Sequence, residues 1–169
     1  MDDGDEGLHP FVAVAFVEPV GEVRFGKRHW PLHVTLLRFD LAPEAAREAA
    51  TGALSAFQPF RIRIGRDADF GYRGRVRVSL VEHDAAHSDP LKAPDPLQEL
   101  HERVRDAVVA LGGRIHSLQH TGRGFRPHVT VQGERRVHAG ETVLLHSVAL
   151  VDMAPGGDTE WRLPVAQWR

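Results

Sequence analysis

Two short segments written in the same code, Leu32-His33-Val34-Thr35-Leu36 and Pro127-His128-Val129-Thr130-Val131, constrain this chain more than anything else in it. Each lies in a β-branched run of strand length, and successive side chains of a strand point to opposite faces. In both copies the His and the Thr therefore share one face, and the central Val lies on the other. A fold that uses the copies alike must bury two Val faces in a core and leave two His-Thr faces free for chemistry.

The rest of the composition narrows the class. At 169 residues with 42% apolar and 26% charged content, the chain can bury a sizeable core as a single domain over residues 1–169, with residues 1–8 as a disordered acidic tail. The net charge of −2 supplies no global basic field for holding long duplex nucleic acid. The absence of cysteine removes disulfides, thiolate nucleophiles and cysteine zinc sites together. No apolar run approaches the ~20 residues of a membrane span, and the acidic start is the opposite of a secretory leader. The expectation is a cytoplasmic protein, monomeric, with no membrane association and no obligatory protein partner.

Periodicity predicts alternating strands and two helices. Phe11 to Val17 and Leu32 to Phe39 read as strands, and Pro43 to Phe57 as a helix with an alanine-rich stripe opened by Pro near its first turn. Arg61 to Ile64 and Arg75 to Val81 read as strands around a turn at Gly71 and Gly74, and Glu82 to Pro96 as a polar loop. A second helix is predicted from Asp95 to Leu111, with Leu97, Leu100, Val104 and Val108 on one side and Gly112-Gly113 as its stop. Phe125 to Val131, Thr142 to Val151 and Glu160 to Trp168 complete the strands. Periodicity alone gives an α+β class and nothing finer.

The two motifs resemble the signature of the 2H phosphoesterases, which include bacterial 2′–5′ RNA ligases and 2′,3′-cyclic phosphodiesterases. The resemblance extends to Arg38-Phe39 after the first motif, to the run Pro59 to Ile64, and to Phe125-Arg126-Pro127 before the second. It implies two pseudo-symmetric lobes of antiparallel sheet with helices on the outside, the motif strands facing each other across an active-site cleft. It also implies His33, Thr35, His128 and Thr130 as the site, with His128 the base and His33 the acid in opening a 2′,3′-cyclic phosphate to a 2′-phosphate. A near-symmetric site run in reverse exchanges those roles.

The residues themselves support that chemistry. A histidine with a pKa near 6.5 serves as base or acid near neutral pH, and two flanking a phosphodiester can take one proton and give another with no metal or other cofactor. Hydroxyls on the same faces can donate to the non-bridging phosphate oxygens. Strand parity sends Phe39 toward the cleft, where it stacks on a base, and Arg38 away from it. Arg126 shares the face of His128, Tyr72 and Arg73 form a rim, and Trp30, like His29, lies close enough to the first motif to line the cleft. The remaining histidines are read as surface residues, and no compact metal-ligand spacing occurs.

The substrate class is a short RNA or nucleotide carrying a 2′,3′-cyclic phosphate or a 2′,5′-linkage. The alternatives are a 2′–5′ RNA ligase using the same four residues, in which a 5′-hydroxyl enters instead of water, and a non-catalytic RNA- or nucleotide-binding module. Against the module stands the matched acid and base, which binding alone does not need.

Overall fold

The computed structural model describes residues 7–82 and 95–169. Most of the expected tail and most of the expected loop from Glu82 to Pro96 fall outside the described residues. Along the described chain the order is β1 (His9–Phe16), β2 (Phe25–Gly26), β3 (His33–Leu41), α1 (Pro43–Leu54), β4 (Phe60–Phe70), β5 (Val76–Glu82), α2 (Pro96–Ala110), β6 (Arg114–Ile115), β7 (His128–Thr130), β8 (Thr142–Leu145), β9 (Ser147–Asp152) and β10 (Trp161–Trp168). The strands form one open sheet in the order β2-β10-β9-β1-β3-β7-β5-β4-β8, with β6 on the far end of β3, and every pairing is antiparallel.

Two four-strand wings, β3-β1-β9-β10 and β7-β5-β4-β8, meet at the two motif strands. The motif strands do not face one another across an open gap, as the resemblance implies. They are hydrogen-bonded neighbours, paired at Val34 and Val129, and the site lies on the sheet surface over that seam. An unpaired strand edge at this depth would leave backbone donors and acceptors buried without partners, and the pairing removes them.

Both helices cover the Val face of the seam. Val34 and Val129 join one core with the alanines of α1 (Ala46, Ala49, Ala50, Ala53) and with Leu97, Leu100, Val104 and Val108 of α2. Alanine has no bulk beyond Cβ, so α1 lies close to the sheet without a gap. The Asp95 carboxylate caps α2 by accepting from Leu97 N at 3.0 Å, and Pro at the first position of each helix costs no hydrogen bond.

The opposite face of the β1–β9 wing carries a second cluster of Val12, Val14, Phe16, Ala149 and Val151. The segment from Glu18 to Trp30 folds back over it, bringing Val20, Phe25 and Trp30 into contact. The Glu18 carboxylate accepts from Leu32 N at 2.9 Å and pairs with Arg135, which follows the second motif. One side chain thus ties the entrance of the first motif to the exit of the second.

Three differences from the sequence reading shape the sheet. β4 runs on to Phe70 with a register shift between Ile64 and Asp67. The predicted strand from Thr142 to Val151 divides at His146, because β8 pairs with β4 in one wing and β9 with β1 in the other. β-propensity continues through the change of partner, so the sequence carries no mark of it. The third difference matters for function: Ala13 pairs with Leu37 but Val14 with Thr35, which makes Leu36 the extra residue of a β-bulge in β3.

Beyond α2 the chain turns sharply onto β3. Gly112 has a φ of 82°, and a Cβ on Gly113 would lie 2.4 Å from Val108 Cγ1 and 3.2 Å from the Asp40 carbonyl oxygen. Gly113→Ala is therefore expected to destabilise the protein by about 1–3 kcal/mol through overpacking, lowering Tm by about 2–12 °C. A thermal melt matching wild type would show that the helix end does not lie against this strand.

Candidate active site

With Val34 opposite Val129 in an antiparallel pair, Thr35 stands opposite His128 and His33 opposite Thr130. All four share the face away from the helices, since the two valines on the other face are buried. Directly opposed residues have Cβ atoms about 4.5–5.5 Å apart and diagonal ones about 7–8 Å. The imidazoles take one diagonal and the hydroxyls the other, a square of a size to surround one phosphate.

The two histidines are oriented by the same local device. His33 Nδ1–H donates to the Pro31 carbonyl at 2.7 Å, and His128 Nδ1–H to the Arg126 carbonyl at 2.8 Å. A carbonyl only accepts, so the proton of the neutral ring is on Nδ1 and Nε2 is the nitrogen left for proton transfer. Aromatic rings fix each imidazole further: the ring centroids of Trp30 and His33 are 4.6 Å apart, and those of Phe70 and His128 are 4.8 Å apart in a T-shaped contact. Desolvation pushes the His33 pKa down to about 4, with the Pro31 bond opposing and the His128 charge adding to the effect. The His128 pKa is also lowered, by desolvation first, against the Arg126 carbonyl, and then by the charges of Arg126 and His120. Both rings are therefore neutral at pH 7 when nothing is bound.

From Thr35 and His128 a cleft of about 600 Å³ runs between Arg38 and Leu37 of β3, the Asp69–Gly71 corner, and the loop carrying His116, Ser117, His120, Thr121, Phe125 and Arg126. One expected substrate contact, Phe39, trades places here with Arg38, expected to point away. The extra residue at Leu36 reverses the strand parity beyond it, so Arg38 is exposed in the cleft while Phe39 is wholly buried and stacks on Phe11. Phe39 cannot stack on a base. Arg126 lines the cleft with its guanidinium 5.1 Å from the Phe70 ring. Tyr72 and Arg73 are exposed beside the lining residue Gly71 and contact each other, with Arg73 at a φ of 56°. Trp30 supports His33 from outside the cleft lining, packed on Phe25.

The expectation that the other histidines lie on the surface fails for His101. It is 1% exposed, its Nδ1–H donates to the Leu36 carbonyl at 2.6 Å, and its Nε2 accepts from Gly122 N at 2.8 Å. Its ring stacks on Phe125 at 4.1 Å. One neutral imidazole thus pins both the bulge of β3 and the loop that leads to His128. Its helical phase was the available signal, because it falls on the stripe of Leu97, Leu100, Val104 and Val108. His116 pairs with Asp40 at 2.9 Å. Burial alone would raise the Asp40 pKa, but the bonds from His116 and Arg114 outweigh it and hold the carboxylate below its ordinary range. Among the described residues no three metal-ligating side chains cluster.

Residues 14–147 match the family model described as the 2'-5' RNA ligase superfamily. The chain belongs to that superfamily. Its fold is also that of solved structures of low sequence identity. An Escherichia coli LigT complexed with 3'-AMP superposes with a TM-score of 0.60 at 14% identity, covering 95% of this chain and 97% of that one. A structure described only as a phosphoesterase gives 0.57 at 15%, covering 96% and 98%. TT0787 of Thermus thermophilus gives 0.53 at 17%, covering 94% and 96%. No curated protein sequence matches the chain significantly. The two-wing α+β fold of this superfamily member is thus shared across the whole described sheet, at identities that speak for fold alone.

Three buried or half-buried histidines of this superfamily member, His33, His101 and His128, have pKa values lowered in the folded state. The unfolded chain then binds protons first as pH falls below about 6.5, so stability is full above that pH and declines toward pH 4. The urea midpoint is expected to be lower at pH 5 than at pH 7. A flat profile would show that these imidazoles are not held neutral by the fold.

Proposed function

We propose that the chain is a metal-independent phosphodiesterase that acts on RNA or nucleotide 2′,3′-cyclic phosphates, giving a 2′-phosphate, or on 2′,5′-linkages, by two-histidine general acid–base catalysis. The observation that carries this reading is the register of β3 against β7, which gathers two imidazoles and two hydroxyls into one square on one face. A phosphate inside that square meets a base, an acid and two hydroxyl donors at once. The cleft volume of about 600 Å³ lies in the range of small-ligand sites. LigT structures of the same fold carry 3'-AMP, NADP+ and phosphate.

In the hydrolytic direction one neutral Nε2 takes a proton from water as its oxygen attacks phosphorus. The opposite, protonated ring gives a proton to the departing ribose oxygen. Thr35 and Thr130 donate to the non-bridging oxygens, where negative charge concentrates in the transition state. Burial lowers the pKa of both rings, so either can accept the proton while its partner donates one, and running the reaction in reverse exchanges the roles.

His33→Ala and His128→Ala are each expected to lower kcat by about 10²–10⁴ with little change in substrate binding, and the double variant to be scarcely worse than either. Thr35→Val and Thr130→Val should do less damage, and turnover should persist in EDTA. The assay is hydrolysis of adenosine 2′,3′-cyclic phosphate, and two fully active single His variants would leave only a binding site.

The protonated ring must acquire its proton when the substrate arrives, because the free site is neutral at pH 7. A phosphate anion between the rings favours their charged forms. The kcat/KM profile, which reports the free protein, is therefore expected to peak below pH 6.5, and the profile of kcat to lie at higher pH. Coincident profiles centred above pH 7 would contradict the burial of the two rings.

A further inference from the structure

The reading above, on which this inference rests, uses only one end of the cleft. The other end holds a guanidinium with nothing to do. Arg38 lines the cleft, is exposed, and its guanidinium makes no hydrogen bond or ion pair with any described residue. The fold goes to some length to place it there: the Leu36 bulge turns Arg38 onto the cleft face, and His101 holds that bulge by its carbonyl. Without the bulge, parity would put Arg38 in the core position that Phe39 occupies.

Arg38 does not belong to the square around the first phosphate. It lies three residues beyond Thr35, and with Leu36 as the extra residue of the bulge that is two strand positions, about 7 Å. Arg126 and His120 act on the His128 charge, whereas Arg38 acts on neither catalytic imidazole. Burial, and next the charge of Arg38, lower the pKa of Arg162 on β10, whose Nε is buried without a hydrogen-bond partner among the described residues. An anion bound at Arg38 would relieve that repulsion between like charges. Asp69, the carboxylate of the cleft, is already paired with Arg77 at 2.8 Å and leaves the cation unneutralised. The cleft that Arg38 shares with Thr35 and His128 is also lined by the rings of Phe70 and Phe125, which suits the body of a nucleoside.

We propose that Arg38 binds a second, non-scissile phosphate of the substrate, one nucleoside away from the phosphate held between His33 and His128. In a 2′,3′-cyclic substrate the only position for it is the 5′ oxygen of the same nucleoside. The group is then either a terminal 5′-phosphate or the internucleotide phosphate of an RNA end. Arg38 selects substrates that carry it over those ending in a 5′-hydroxyl.

The test compares kcat/KM for three compounds: adenosine 2′,3′-cyclic phosphate with a free 5′-hydroxyl, the same with a 5′-phosphate, and a dinucleotide ending in the cyclic phosphate. A guanidinium–phosphate contact is charge-assisted, so wild type should favour a compound with the second phosphate by about 10-fold or more. In Arg38→Ala that ratio should fall close to one, while Arg103→Ala, which removes a cation from the distant outer face of α2, should keep it. Preference for the 5′-phosphate alone identifies a free nucleotide; preference for both identifies an RNA end. A wild-type ratio of one, or a ratio unchanged in Arg38→Ala, overturns the proposal.

Binding separates this inference from the catalytic one. Adenosine 3′,5′-bisphosphate should bind more tightly than adenosine 3′-monophosphate, and Arg38→Ala should remove the difference. If wild type turns over none of the three compounds but shows this Arg38-dependent difference, the second-phosphate site stands and the proposed hydrolysis falls. Equal affinities for the two mononucleotides reject the site whatever the turnover.

Discussion

The antiparallel contact between Val34 and Val129 sets the geometry of this protein's site. Only a few backbone hydrogen bonds join the wings there, because β7 has three residues. Yet the period of two makes register all-or-none: with β3 held by β1, a slip of β7 by one residue would send His128 into the core and Val129 to the opposite face. Burying a valine is worth about 1.5–3 kcal/mol, and burying an imidazole in its place would cost free energy besides. The apolar face thus enforces the register, and the register assembles the polar square. Glu18, joined to Leu32 N and to Arg135, holds the same seam from its open side.

Much of this was legible before the structure. The twin motifs located His33, Thr35, His128 and Thr130, and alternation put each His and Thr on one face. The Pro starts and the glycine stop placed α2 to within a residue, and the alanine stripe placed α1 except for its final turn. These are local signals, carried by side-chain period and backbone preference within about 15 residues. What failed was not local. The bulge at Leu36 depends on how β1 pairs with β3, and nothing in Leu36-Leu37 distinguishes a bulge from a continuing strand. One inserted residue exchanged the places of Arg38 and Phe39. The break at His146 similarly reflects a change of partner strand, a property of the sheet and not of the segment.

His101 shows the third kind of miss, a residue whose chemistry invited one reading and whose position required another. A histidine on a helix is by habit assigned to the surface, but this one occupies the apolar stripe of α2. Burial is tolerable because both ring nitrogens are satisfied, by a carbonyl on one side and an amide on the other. The two partners differ in kind, so only the neutral ring with its proton on Nδ1 fits; an imidazolium would present a donor to the Gly122 amide.

The same electrostatic condition runs through the site. His33, His101 and His128 are all held toward their neutral forms, and the cations of the cleft, Arg38 and Arg126, stand without carboxylate partners among the described residues. Two neutral imidazoles beside two cations without carboxylate partners leave the site with unmatched positive charge. Under the proposed reading a phosphate anion matches that charge and draws a proton onto one imidazole, so the asymmetry that proton transfer requires comes with the substrate to a frame that the sheet builds as near-equal halves.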